Sequence, residues 1–163
     1  MPSKQIVFAL VTFLHDLFTV VWVGGLITLG LIVLPSARAV LGMGSETKKL
    51  MNTIQKRLSP LIYVSILGLI VTGLLLSRRS PAFQGLFGFG SAYATVLSVK
   101  HVLVVLMVGI ALYRSLVLGR KSSPSSPRQE KLKVGLLLVN VVLGIAVLLL
   151  SGFSVALGAV PPV

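Results

Sequence analysis

The sequence predicts an all-α membrane protein, an up-down bundle of four transmembrane helices with both termini outside the cytoplasm. Three observations lead there. The 163 residues are 55% hydrophobic with a mean hydropathy of +1.02, too apolar for a soluble domain. The apolar residues gather into runs long enough to cross a hydrocarbon core, which takes roughly twenty residues at about 1.5 Å each. The net charge of +12, from 15 Lys and Arg against 3 Asp and Glu, sits between those runs. It therefore reads as membrane topology, and nucleic acid is not an expected partner.

The first run extends from Ile6 to Pro35, dominated by Val, Leu, Ile and Phe, with His15 and Asp16 inside it. It is too long for a signal-peptide core and lacks a small-residue cleavage site, so it is expected to stay in the mature protein. A basic connection from Ser36 to Arg57 follows, within which Ser45 to Ile54 reads as a short interfacial helix with Leu50, Met51 and Ile54 on one side. The second span is expected over about 58–76, opening at Ser59-Pro60, where a first-turn proline is tolerated, and closed by Arg78 and Arg79. Ser80 to Gly90, with Pro81, Phe83, Phe87 and Phe89, reads as an interface-seated loop. The third span, about 91–118, contains Lys100, His101 and Arg114, the last expected to snorkel to the interface, with a propionate or an acidic headgroup as its alternative partner. A flexible loop with Ser122-Ser123-Pro124-Ser125-Ser126-Pro127 precedes the fourth span, about 132–157, whose polar residues are Lys133, Asn140, Ser151 and Ser154. The length leaves room for one membrane domain, 1–163, and for no soluble catalytic domain.

Four alternating spans put the first and third connections on one side. Those connections and their edges carry Arg38, Lys48, Lys49, Lys56, Arg57, Arg120, Lys121, Arg128, Lys131 and Lys133, against Lys4, Arg78 and Arg79 opposite. The positive-inside rule then places the termini outside, in the plasma membrane of a prokaryote.

His15 and His101 are the two histidines of the chain. Each lies about ten residues into a span of the same direction, roughly 15 Å below its start. In a bundle with short connections the first and third helices are diagonal, so the imidazoles face one another across the core. That arrangement suits a haem b with two axial histidines. Thr19 and Trp22 follow His15 at helical spacing, Trp22 as the lining of a porphyrin edge, and Leu97, Val104, Val105 and Val108 wall His101. For either histidine alone, an ordinary interhelical hydrogen bond explains it equally well. Asp16 and Lys100 either form a buried ion pair with each other, or orient a ligating imidazole and meet a propionate. With no Cys in the chain, disulfides and thiolate metal sites are excluded.

These residues are where the chain resembles the copper-resistance protein D (CopD) domain family and, more distantly, the HemJ-type protoporphyrinogen oxidases. The motifs are His15 followed by Trp22-Val23-Gly24-Gly25 and Leu34-Pro35, then Lys56-Arg57-Leu58 and Val71-Thr72-Gly73, Val99-Lys100-His101, and Leu143-Gly144-Ile145-Ala146-Val147. The resemblance implies either copper uptake or resistance, or haem b binding and porphyrin oxidation, with His15 and Lys100 matching the HemJ-type pair. Asn140 stands where the family often has an acid, which weakens a proton-coupled or cation-transport role there.

The leading expectation is a haem b protein with His15 and His101 as ligands, exchanging electrons with quinol or a redox protein. Copper is the alternative cofactor, with His15, His101, Asp16 and Met107 as donors, although soft Cu(I) favours Cys and Met, and this chain holds four Met. HemJ-like oxidoreductase chemistry and a purely structural membrane subunit stay open, the fourth span suiting lipid contact or a homo-oligomer equally.

Overall fold

The computed structural model describes residues 3–79, 83, 85–118 and 126–158. Arg120, Lys121 and Ser122 to Ser125 of the expected flexible loop, with Pro81, Pro161 and Pro162, lie outside them. Among the described residues the chain forms four long helices and no strand. These are α1, Ser3–Leu41; α2, Ser45–Ser77; α3, Ala92–Leu118; and α4, Pro127–Gly158. All four are long and apolar enough to cross a membrane, as expected.

Three helices overrun the expected spans, α4 by starting at Pro127 within the end of the expected flexible loop. α1 continues past Pro35 to Leu41, because the turn before the proline widens into a π-helical stretch, Thr28–Val33. A proline lacks the N–H of the normal ladder and its ring crowds the carbonyl four residues back; a wider turn relieves both defects. A second π stretch, Val20–Gly24, lies one turn earlier. α2 begins at Ser45 and carries Pro60 inside it, so the expected interfacial helix is simply its first three turns. At the α1–α2 corner Gly42 takes φ 71°, a conformation that favours glycine, and the Thr47 hydroxyl lies 2.5 Å from the Gly42 carbonyl and 3.3 Å from that of Ala37. Ser91 caps α3 by accepting from the Ala94 N–H at 3.1 Å.

The helices associate chiefly as two antiparallel hairpins, α1 with α2 and α3 with α4, joined through the second half of α1 against α4. Small residues set the close approaches. Gly68 of α2 leaves space for the Phe18 ring, Gly30 of α1 faces Val141, and Gly144 of α4 faces Val23 and Met107. Lipid is the solvent here, so association rests on such contacts rather than on hiding apolar surface. Accordingly Leu, Val, Ile and Phe remain exposed along all four helices. Hydroxyls are satisfied within their own helix, as in Thr19 to the His15 carbonyl at 2.8 Å and Ser151 to the Val147 carbonyl at 2.8 Å.

The core is a cluster of Trp22, Val23, Leu26, Leu29, Leu34, Ile66, Met107, Leu137, Val141 and Val147. Asn140 is embedded in it at 0% exposure, its amide donating to the Met107 carbonyl at 3.4 Å while its own carbonyl oxygen has no partner. A long bond offset by an orphaned acceptor contributes little. Asn140→Leu is therefore expected to change stability by less than about 1 kcal/mol in either direction, read from reversible unfolding in mixed micelles; a loss of several times that would show that the amide is structurally essential.

Candidate functional site

His15 is half-buried on the face of α1 that meets α2. Its Nδ1 lies 2.9 Å from the Thr72 hydroxyl, and that hydroxyl lies 2.6 Å from the Gly68 carbonyl one turn back. Thr72 has a single proton. Given to Gly68, it leaves the hydroxyl as acceptor from His15 Nδ1–H, and the Nε2 lone pair stays free to take a metal or a proton. Gly73 provides the clearance, since a Cβ there would sit 3.5 Å from the imidazole Cε1. Thr72 was legible only as part of a motif, because nothing in one sequence says which helix faces a histidine.

The proposed companions are placed differently from one another. Lys100 and Asp16 are both near enough for their charge to reach the His15 ring. Asp16 is exposed on α1, and of the two roles expected for Asp16 and Lys100 their ion pair does not form among the described residues, where Lys133 pairs with Glu130 at 3.9 Å. Adjacent helix positions point about 100° apart, so the Asp16 carboxylate diverges from the imidazole while its charge still reaches the ring. His101 contacts the segment that precedes α3, its ring meeting Phe87 edge-on at 6.4 Å between centroids, with the backbone of Leu86 and Leu97 as polar neighbours. Its buried Nδ1 makes no hydrogen bond within normal geometry. Ser98, one turn earlier, fixes that segment by donating to the Gly88 carbonyl at 2.8 Å. No ring contact or hydrogen bond joins the two imidazoles among the described residues.

Trp22 and Arg114 fall elsewhere. Trp22, expected at a porphyrin edge, lies two turns below His15, and the intervening π stretch turns it into the core at 1% exposure. Arg114, expected to snorkel, is 9% exposed and lines the same interior cavity as Trp22, with Tyr63, Gln55, Ser59 and Ser115.

For metal binding the donors are few. Among the described residues no group of three or more His, Cys, Asp or Glu comes together. Met107, the sulfur at membrane depth, is 1% exposed and packed against Gly144. Two imidazoles beside an ammonium fit poorly to a bare cation and better to a ligand that brings its own negative charge.

The Thr72 bond can be tested alone. Thr72→Val is expected to release His15 from the Nδ1–H tautomer, seen as loss of a distinct pyrrole-type Nδ1 signal in ¹⁵N NMR of labelled protein, while Thr72→Ser retains it. Identical spectra for all three proteins would remove the hydroxyl from the account.

Comparison with the curated proteins and with the solved structures gives no match. A model of one protein family, described as Copper resistance protein D, matches residues 52–154. The match begins after His15 and takes in Thr72, Lys100, His101 and Arg114. It covers well over half of the chain, most of α2, all of α3 and nearly all of α4, and this multi-pass helical membrane protein belongs to the CopD family.

Proposed function

We propose that the chain is a single membrane domain of a prokaryotic plasma membrane, its basic end in the cytoplasm and both termini outside. We further propose that it binds haem b in the outer half of the bundle, with His15 and His101 as iron ligands, and serves membrane electron transfer. The observation that carries this reading is the His15–Thr72–Gly68 relay, which leaves an imidazole lone pair unengaged within electrostatic reach of the Lys100 ammonium. A ligating histidine is usually held through its other nitrogen in this way, which fixes its tautomer and orientation. His101 adds a second imidazole with an unsatisfied buried nitrogen. Lys100 suits a propionate, and bound haem b would supply one-electron iron chemistry, with quinol a fitting donor.

The family favours a second reading, copper uptake or resistance, in which the same two imidazoles take the ion. One experiment separates them. The purified protein, as isolated and after incubation with hemin, is scanned before and after dithionite, alongside His15→Ala and His101→Ala. Haem binding predicts a Soret band and a sharp reduced α-band, lost in both variants. A colourless wild type that takes up Cu(I) in equilibrium dialysis, with uptake lost in the same variants, would replace haem by copper.

A further inference from the structure

The interior cavity beneath the histidines has an unusual chemistry of its own. Trp22 Nε1, the Tyr63 hydroxyl and Arg114 Nε are all buried and without a hydrogen-bond partner. An indole N–H and a guanidinium can only donate. The cavity they line is about 30 Å³, space for a water or two. Water would satisfy the indole and the phenol. It would not neutralise a buried guanidinium, which needs a counter-charge.

Among the described residues no ion pair reaches Arg114. Of the three acids, Asp16 is exposed towards the opposite end of α1, Glu46 opens α2, and Glu130 pairs with Lys133. Arg114 and Gln55 also line a second, larger chamber of about 340 Å³ that opens at the basic end. Around it stand Arg38, Lys48, Lys131 and Lys133, with Glu130 the acid among them. Four surface cations thus lead to a fifth that is buried and unpaired. Arg114 lies in the π-helical stretch Tyr113–Leu118, a local geometry often kept where a side chain has work to do.

We propose that this vestibule binds a phosphate-type oxyanion, free or as a lipid headgroup, with Arg114 as its deepest contact and with Trp22 and Tyr63 behind the guanidinium, lining the small water-sized cavity. Phosphate is the class that matches several converging cations and a forked guanidinium, and basic pockets between helices at the cytoplasmic face commonly hold such groups. The site is independent of the histidines.

Trp22 is the single tryptophan of the chain, so its emission reports on the cavity directly. Full-length protein in phosphatidylcholine nanodiscs is titrated with inorganic phosphate at constant ionic strength, with chloride as control. The expected result is a saturable change in Trp22 emission, absent with chloride, weakened about tenfold or more in Arg114→Gln and less in Arg114→Lys. Nanodiscs with phosphatidylglycerol and no free phosphate identify the source: the same emission change there marks the headgroup, and its absence marks the free ion. No saturable change in either arm, an equal response to chloride, or a response unaltered in the variants that fold would overturn the proposal.

Discussion

Replacing Trp22 with alanine should cost the fold about 3–5 kcal/mol. The indole is 1% exposed and joins three helices, being part of the α1 core and sharing its cavity with Leu58, Ile62 and Tyr63 of α2 and Ala111 and Arg114 of α3. In lipid the penalty is not water reaching apolar surface. It is the loss of many weak contacts around an indole-sized void, which the neighbouring rings and branched chains fill only in part. Trp22→Phe, which gives up one partnerless N–H and keeps most of the volume, should cost less than about 1.5 kcal/mol. Reversible unfolding of both variants in mixed micelles, followed by circular dichroism, measures the contrast. A loss below 1 kcal/mol for Trp22→Ala would mean that lipid or detergent replaces the indole at no cost.

Gly68→Ala should be nearly as damaging, about 1–3 kcal/mol, and for the opposite reason. A Cβ at Gly68 would fall inside the contact distance of three atoms of the Phe18 ring. That ring lies between two helices and cannot swing away as a Lys or Met would, so α1 and α2 must separate. One turn along α2 is Thr72, hence the His15 bond should weaken in the same variant. Phe18→Leu in the Gly68→Ala background should recover part of the loss, a non-additivity that a double-mutant cycle measures directly. Full additivity would place the damage outside this contact.

The same contacts show how far the sequence could be read. Four helices were legible because length and hydropathy are one-dimensional properties, and the structure has all four. The run past Pro35 was not, since a proline normally ends a helix and only the wide turn before it permits continuation. His15 and Lys100 were identifiable as polar groups at a depth where such groups are rare, and the structure sets them near each other. Their pairing with Asp16 was inferred from charge alone; charge does not say which way a side chain points. The burial of Arg114 and the facing of Thr72 towards His15 were not legible for a related reason. A helix bathed in lipid is apolar all round, so its inward face leaves no periodic signature, and which residues face inward depends on neighbours far along the chain. Small residues such as Gly68 mark close approach without naming the partner.

The two wide turns of α1 make it behave as a crankshaft. Each π turn inserts one residue beyond the α-helical ladder, and one residue is about 100° of rotation. Ser3–Thr19 addresses α2, whereas the stretch from Gly25 to Val33 also addresses α4, so one continuous helix serves as a wall for two different neighbours. The hairpins are thereby geared together through a twist stored in backbone hydrogen bonding. Removing one residue from Thr28–Val33 would use up the extra residue of the wide turn and leave Leu34 and Ala37 facing the core, whereas the same deletion in the plain α-helical stretch before it would turn everything beyond by about 100°.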